Sequence, residues 1–386
     1  MTQAYAQIVG WGRYVPSRIL TNHDLAQMVD TSDEWIRSRT GILERRMAGP
    51  KESSSTMGAR AAMAALEVAD LAPSRLDLII CATITPDYPL AATASLIQDA
   101  IGATHAGAFD LNAGCSSFVY AISVGAQYIA SGAARNVLIV GADTISRILD
   151  WTDRATCVLF GDGAGAVVLR MSEHPTGVLH CVLGSDGSGA ESLYIPAGGS
   201  RLPASAETIQ AKQHFVKMDG HEVFRFAVTA MSQAATQAIA GAGLKPDDID
   251  LFIPHQANVR IIQSAARALR LPMERVFVNV DRYGNTSSAS VPLALCEAVE
   301  QGRLRQGDRL VMVGFGAGLT WAAAVVQWGV PASAARRPWW RTLVQKVWGQ
   351  QAIVGSAIRR GRRRISAMRV PTVIPTDDDE EPSRKR

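Results

Sequence analysis

Three residues in this 386-residue chain have types and settings suited to covalent chemistry. Cys115 lies in AGAFDLNAGCSSFVYAISVGAQYIASG, which reads as a strand, a tight turn of small residues, and a long helix opening near the cysteine. A thiol at a helix N-terminus meets the positive end of the macrodipole and unpaired N–H groups, and both favour thiolate. Ala113, Gly114, Ser116 and Ser117 leave room for a substrate carbonyl. His255 closes the buried apolar run DLFI in IPHQANVRII, and Asn285 sits in RYGNTSSASVPLAL, a turn that opens another helix. Alone, an Asn in a YGN turn fits turn geometry, and a strand-end His fits a structural role. Together with a distant Cys they suggest acyl transfer through a thioester. The other cysteines, Cys81, Cys157, Cys181 and Cys296, fall in apolar runs and read as core.

Two glycine-rich segments accompany these residues. GFGAGLTW (314–321) follows a strong apolar run, and its glycines let backbone N–H groups approach a substrate closely. FGDGAGA (160–166) lacks the Lys-Ser/Thr ending and the GxGxxG spacing of phosphate loops, so it reads as packing and turns.

The elements that must position these groups alternate. SRLDLIICATI, ARNVLIVGAD, ATCVLFGDGAGAVVLR, DIDLFIPHQ and DRLVMVGFGAG each hold a short β-branched apolar run, separated by Ala-rich stretches of helical length such as 57–69 and 226–242. That pattern predicts an α/β fold with strands covered on both faces. A repeat lies within it. ADLAPSRLDLII from Ala69 and AGLKPDDIDLFI from Ala242 match at an offset of 173, which also maps Asn112 to Asn285, Cys115 to Ser288, and Val140-Gly141 to Val313-Gly314. We read two related halves, 1–175 and 176–330, packed about a pseudo-twofold axis. Strand carboxyl ends from both would then meet at one site.

Composition narrows the classes. With 47% hydrophobic and 19% charged residues the chain is not a mainly disordered one. No apolar run reaches the ~18 residues of a membrane-spanning helix, and MTQAYAQIVGWG lacks signal-peptide character, so a cytoplasmic location is expected. Five scattered cysteines without a CxxC predict reduced thiols and no metal site. The net charge of +4 divides into −4 for residues 1–335 and +8 for the remainder, so the basicity belongs to a tail and gives no reason to expect nucleic acid binding by the body.

TNHDLAQMVDTSDEWIRSRTGILERR, NAGCSSF, DWTDRATCVLFGDGAGAVVL, HQANVRII, YGNTSSASVPLAL and GFGAGLTWA, in that order, resemble the β-ketoacyl-acyl-carrier-protein synthase III family of the thiolase-like superfamily over residues 5–330. The resemblance implies a duplicated, five-layered α/β/α/β/α fold and a homodimer. It implies that Cys115 takes an acyl group from an acyl-CoA primer. Malonyl-acyl-carrier protein then loses CO₂ and attacks the acyl-enzyme, beginning fatty-acid synthesis without metal or redox cofactor. His255 and Asn285 would stabilise the malonyl thioester oxygen, and the backbone N–H groups of Cys115 and Ala317 would form the oxyanion hole. Thr31, Trp35, Arg39, Arg154, His221 and Asn258 match CoA contacts, with His221 standing where the family often has Asn. Arg225, Arg260 and Arg267 match the docking patch for the acidic carrier protein. Tyr88 and Leu90 would shape the acyl pocket from across the dimer.

Alternatives are a priming or condensing enzyme of a polyketide or quinolone pathway, and an inactive subunit. Two other superfamily branches fit worse. No Glu lies between Glu67 and Cys115 to serve as a hydroxymethylglutaryl-CoA synthase base, and elongating synthases carry a second His where Asn285 stands. Residues 331–386 lie outside the resemblance. There Trp339, Trp340, Leu343, Val344, Val347, Trp348, Val354 and Ile358 recur at helical spacing, interleaved with Arg341 and Lys346 and followed by RRGRRR (359–364). This tail reads as a flexible appendage or as a segment for a membrane surface or acidic partner.

Overall fold

The computed structural model describes residues 4–330, 354–359 and 361. Its strands are β1 (Tyr5–Tyr14), β2 (Arg18–Thr21), β3 (Glu44–Met47), β4 (Leu78–Ala82), β5 (Gly107–Leu111), β6 (Asn136–Thr144), β7 (Asp162–Ser172), β8 (Gly177–Ser185), β9 (Leu193–Tyr194), β10 (Lys217–Met218), β11 (Leu251–Pro254), β12 (Arg309–Gly316) and β13 (Thr320–Gln327). Its α-helices are α1 (Asn22–Ala26), α2 (Asp33–Thr40), α3 (Ser54–Ala69), α4 (Thr93–Ile101), α5 (Ser117–Ala130), α6 (Arg154–Cys157), α7 (Ala206–Gln210), α8 (Gly220–Gly241), α9 (Val259–Ala268), α10 (Val280–Tyr283) and α11 (Ser290–Glu300).

Two mixed sheets form the frame. One runs β1-β7-β6-β4-β5 and the other β8-β13-β12-β11, with β4 parallel to β6 and β11 parallel to β12. Four strands correspond in order, β1, β7, β6 and β4 matching β8, β13, β12 and β11, and β5 is an additional edge strand of the first sheet. The offset of 173 carries β4 onto β11, the start of β6 onto the start of β12, and the first residue of α5 onto the first residue of α11. A strand has period two, so each buried strand feeds two cores. Ile80, Ile139 and Val137 face a central layer with Phe118, Ile122, Val291 and Leu295 of α5 and α11, and Ile253 and Met312 meet it from the second sheet. Ile79, Leu138 and Val140 face outward to Ala61, Ala65 and Ile97 of α3 and α4. Phe252, Val311 and Val313 face α8 and α9. The result is five layers, helix–sheet–helix–sheet–helix, and the near-continuous apolar strands of the sequence follow from burial on both faces.

One stretch differs from the expected strand. ATCVLF is not extended; Asp153 Oδ1 accepts the Ala155 N–H at 3.0 Å and caps the short helix α6, so the strand begins only at Asp162. The glycines of this segment are packing sites, as expected. A Cβ on Gly165 would lie 2.7 Å from Pro292 of α11, and one on Gly161 would lie 2.3 Å from the Tyr283 carbonyl.

The carboxylate of Asp143, fully buried at the end of β6, holds the halves together. Its Oδ1 accepts from Thr83 Oγ1 (2.9 Å), Ile84 N (2.8 Å), Thr85 N (3.1 Å) and Thr85 Oγ1 (2.9 Å), all on the loop after β4. Its Oδ2 accepts from Ser288 N (3.0 Å) and Ser288 Oγ (2.6 Å), three residues beyond Asn285. Asp143→Asn turns an NH₂ toward groups that all donate to this carboxylate. It should cost about 3 kcal/mol, as expected when charged hydrogen bonds are lost and donors are left unpaired. Urea unfolding of both proteins would measure this, and an unchanged midpoint would contradict it.

Candidate active site

Cys115 precedes α5 by two residues, His255 follows β11 by one, and Asn285 lies in the turn before α11. All three line one small cavity of about 90 Å³, walled besides by Asn258 and by apolar side chains including Phe160, Leu193, Val223, Phe224 and Phe315. Cys115 also lines a second cavity of about 530 Å³, with Ile84, Ile145, Ile148, Phe160, Leu193 and Val216 around it. The sulfur-bearing residue therefore stands at the junction of a narrow passage and a wider apolar chamber.

Each polar group is oriented by local chemistry. Ser287 N–H donates to Asn285 Oδ1 at 2.8 Å. Only the carbonyl end of an amide can accept, so the NH₂ end is left to donate. His255 N–H donates to the Val313 carbonyl (2.7 Å), and its Nδ1 pairs with Ser290 Oγ at 2.5 Å. Ser290 Oγ also accepts the Gln256 N–H at 3.4 Å. Nδ1 is thereby engaged, and Nε2 is the free ring nitrogen. The Phe315 ring meets the imidazole edge-on at 5.1 Å between centroids.

The backbone N–H groups of residues 115 and 317 come together because two glycines allow it. A Cβ on Gly316 would lie 2.3 Å from Cys115 N, and one on Gly114 would lie 2.6 Å from Ala317 N. Gly114 has φ +60°, in the region that favours glycine.

The electrostatics correct one expectation. The position before α5 favours thiolate, but burial pushes the Cys115 thiol up from 9.0 to about 12. A helix end contributes about 0.3–1 kcal/mol, less than the ~1.4 kcal/mol of one pH unit, so desolvation wins. Burial likewise pushes His255 down from 6.5 to about 3. At neutral pH the resting site holds a neutral thiol and a neutral imidazole.

The other predicted residues are placed as follows. Trp35 and Arg39 share a face of α2, and the guanidiniums of Arg39 and Arg154 lie over the indole at 4.8 and 5.5 Å. Arg154 is held by the Asp30 carbonyl (2.8 Å) and carboxylate (3.2 Å). Thr31 Oγ1, close in sequence, is buried without a hydrogen-bond partner. Asn258 caps α9 through Arg260 N (2.8 Å), donates to the Arg39 carbonyl (3.1 Å) and lines the narrow cavity. His221 is exposed in the first turn of α8, its N–H on Asp219 Oδ1. Arg225, Arg260 and Arg267 are exposed on α8 and α9, with Arg260 over the Phe224 ring at 5.7 Å.

Neither Tyr88 nor Leu90 lines the wide chamber within a single chain. They are 59% and 97% exposed, and Ile84 of the same loop lines it instead. Of the tail, Val354 and Ile358 are exposed, while Ser356 and Arg359 bond the Asp99 carboxylate, Arg359 at 2.6 Å. Trp339, Trp340, Leu343, Val344, Val347, Trp348, Arg341, Lys346 and residues 360 and 362–364 lie outside the described residues.

Sequence reasoning missed Ser287, Ser290 and Asp143, and the chamber wall of Ile145, Phe160, Leu193 and Val216. The serines stand in TSSAS beside Asn285, where hydroxyls at a helix start were a usable signal. The apolar wall comes from four distant segments and carried none.

Comparison with known proteins decides the family. The family models for 3-oxoacyl-[acyl-carrier-protein] synthase III match residues 109–187 and, for its C-terminal part, 239–328. A β-ketoacyl-[acyl-carrier-protein] synthase III from Roseiflexus sp. (strain RS-1) is 56% identical over 324 residues, covering 84% of this chain and 98% of that protein. The chain belongs to the β-ketoacyl-[acyl-carrier-protein] synthase III family. The solved synthase III from Thermus thermophilus is 50% identical, with a TM-score of 0.79 over 84% of this chain and 99% of that one. The priming β-ketosynthase of the R1128 polyketide pathway is 37% identical, with a TM-score of 0.79 over 85% and 98% of the two chains. The fold is thus the duplicated thiolase-like one, and the protein is an acyltransferase of the ketosynthase type.

The buried imidazole sets a pH dependence for this family member. An unfolded His binds a proton below about 6.5 and the folded one only near 3, so stability rises with pH across that window and falls as acid is added. Between pH 6.5 and 4.5 the thermal midpoint should drop, and His255→Gln should remove most of that drop. An identical decline in the variant would contradict the assignment.

Proposed function

We propose that this synthase III condenses an acyl-CoA primer, acetyl-CoA or a similar one, with malonyl-acyl-carrier protein, and so initiates fatty-acid biosynthesis. The carrying observation is that Cys115, His255 and Asn285 line one cavity while Cys115 alone of the three lines the wider chamber. His255 Nε2, unprotonated, takes the Cys115 proton as the sulfur attacks the thioester and passes it to the departing sulfur, so CoA leaves as its thiol. The backbone N–H groups of Cys115 and Ala317 receive the negative charge on the former carbonyl oxygen. Malonyl-carrier protein then enters the narrow cavity. Loss of CO₂ leaves an electron pair on C2, and its enolate oxygen is held by Asn285 Nδ2–H and by Nε2–H of the other neutral His255 tautomer, in which Ser290 O–H donates to Nδ1. C2 attacks the acyl carbonyl, the Cys115–acyl bond breaks, and the departing thiolate takes one proton from solvent, the proton that the overall condensation consumes, to restore the thiol.

Surrounding residues fit this reading. Trp35, flanked by Arg39 and Arg154, suits an adenine with its phosphates, and Thr31 and Asn258 offer polar atoms on the same approach. His221 can donate or accept where CoA would enter. Arg225, Arg260 and Arg267 suit an acidic carrier protein. We place the boundary of the halves at 175/176. We also propose a homodimer formed along the open edge of β5, with Tyr88 and Leu90 entering the partner's chamber. No described helix is long and apolar enough to cross a membrane, and a cytoplasmic site of action is part of the proposal. No cofactor is needed in this scheme, because CO₂ release drives the condensation. The 56% identity to the Roseiflexus synthase III, against 37% to the polyketide priming enzyme, favours fatty-acid over polyketide or quinolone chemistry. The intact trio argues against an inactive subunit.

Cys115→Ala should abolish acyl-enzyme formation yet retain CO₂ release from malonyl-carrier protein. Asn285→Ala should keep acylation and lower CO₂ release by about 10²–10³-fold, the range for loss of one oxyanion donor. Radiolabelled acyl transfer and ¹⁴CO₂ release measure the two steps. The opposite split would overturn the roles.

A further inference from the structure

Four described non-glycine residues have positive φ: Asp70, Lys212, Arg270 and Ser287. The first three are exposed and follow the ends of α3, α7 and α9, where a left-handed residue commonly terminates a helix. Ser287 differs. It is wholly buried, at φ +52°, inside the turn that presents Asn285. Serine in this region carries a steric cost that glycine avoids.

The internal repeat shows what the unstrained choice would be. The offset of 173 maps Ser287 to Gly114, which has φ +60°. The two turns share a hydrogen bond: Gly114 N–H donates to Asn112 Oδ1 at 3.1 Å, and Ser287 N–H donates to Asn285 Oδ1 at 2.8 Å. The backbone therefore performs the same task in both halves, and glycine suffices for it in the first. The second half keeps a hydroxymethyl group at the strained position. That hydroxyl is buried and forms no complete hydrogen bond within the described protein. The hydroxyl favours the ionised form of the nearby Cys115 thiol.

We infer that Ser287 is a positioning residue for both halves of the reaction: its N–H fixes the Asn285 amide, and its hydroxyl, aimed by the left-handed backbone, donates to the Cys115 sulfur as negative charge develops there. This rests on the proposed nucleophilic role of Cys115. The charged and titratable groups around the sulfur are consistent with a need for such a donor. Asp143, behind Ser288, disfavours the thiolate, and His255 across the cavity is neutral. The Ser287 O–H is a side-chain donor able to act on the thiolate once His255 has taken the proton. It passes no proton of its own, and the Cys115 proton still goes to His255.

The test uses two variants of the full chain, Ser287→Ala and Ser287→Gly. Both remove the hydroxyl and keep the N–H; Ala keeps the backbone strain and Gly relieves it. The readout is the rate of iodoacetamide alkylation between pH 7 and 10, with the modified peptide identified by mass spectrometry. Both variants should alkylate Cys115 about tenfold more slowly at each pH, a rise of about one unit in the thiol's pKa. CO₂ release from malonyl-carrier protein should fall by less than alkylation does, because both variants keep the N–H that holds Asn285. The glycine variant should melt higher than the alanine variant, which shows that folding does not explain the loss. Parent-like alkylation in either variant would overturn the inference, since the hydroxyl would then be dispensable. If the parent enzyme is labelled on another cysteine and not on Cys115, the nucleophile assignment itself falls, and this inference with it.

Discussion

The site depends on one buried carboxylate. Asp143 sits where the two halves touch and accepts hydrogen bonds from the loop after β4 on one oxygen and from Ser288 on the other. Ser288 is the repeat counterpart of Cys115, and the counterpart of Asp143 is Gly316. Around the pseudo-twofold axis, the same pair of positions is used twice. In one copy a carboxylate binds a serine N–H and hydroxyl, making a fixed joint. In the other a glycine replaces the carboxylate, and its bare Cα leaves space against Cys115 N. The N–H and thiol that would otherwise be consumed in structure are released for a ligand. Of the two corresponding joints, one is closed by a carboxylate and the other is left open beside Cys115.

Burial then determines how that centre works. The same desolvation that raises the thiol to about 12 lowers the imidazole to about 3. Burial thus disfavours each charged form on its own. In the proposed reaction, charge developing there would meet the N–H donors of Cys115 and Ala317 in a dry cavity, where donors count for more than in water. Ser290 on Nδ1 and Ser287 on the Asn285 amide hold the imidazole and carboxamide with one donor-capable end each toward the cavity.

Much of this was legible in the sequence, for identifiable reasons. The 173-residue offset exposed the duplication because strand and turn residues recur without a gap, and the strands correspond in both sheets. Cys115, His255 and Asn285 were visible because strand ends and helix starts in an α/β fold converge, and rare polar types at such ends stand out. What the sequence hid was environment. The helix end before α5 suggested a depressed thiol pKa, but burial depends on the second sheet and reverses the sign. Asp143 looked like an ordinary residue closing a strand, since its partners lie some 60 and 145 positions away. The chamber wall is built of common apolar residues from separate segments. Tyr88 and Leu90 could be tied to a pocket only by resemblance, and within a single chain they point to solvent.

The most direct test of the whole account is the location of the first covalent bond. The enzyme incubated with acetyl-CoA alone, quenched in acid and digested, should yield one acetylated peptide, spanning NAGCSSF, with the modification on Cys115 and heavier by one acetyl group. A stable acetyl group on any other residue, or condensation product formed with no acyl-enzyme on Cys115, would contradict it.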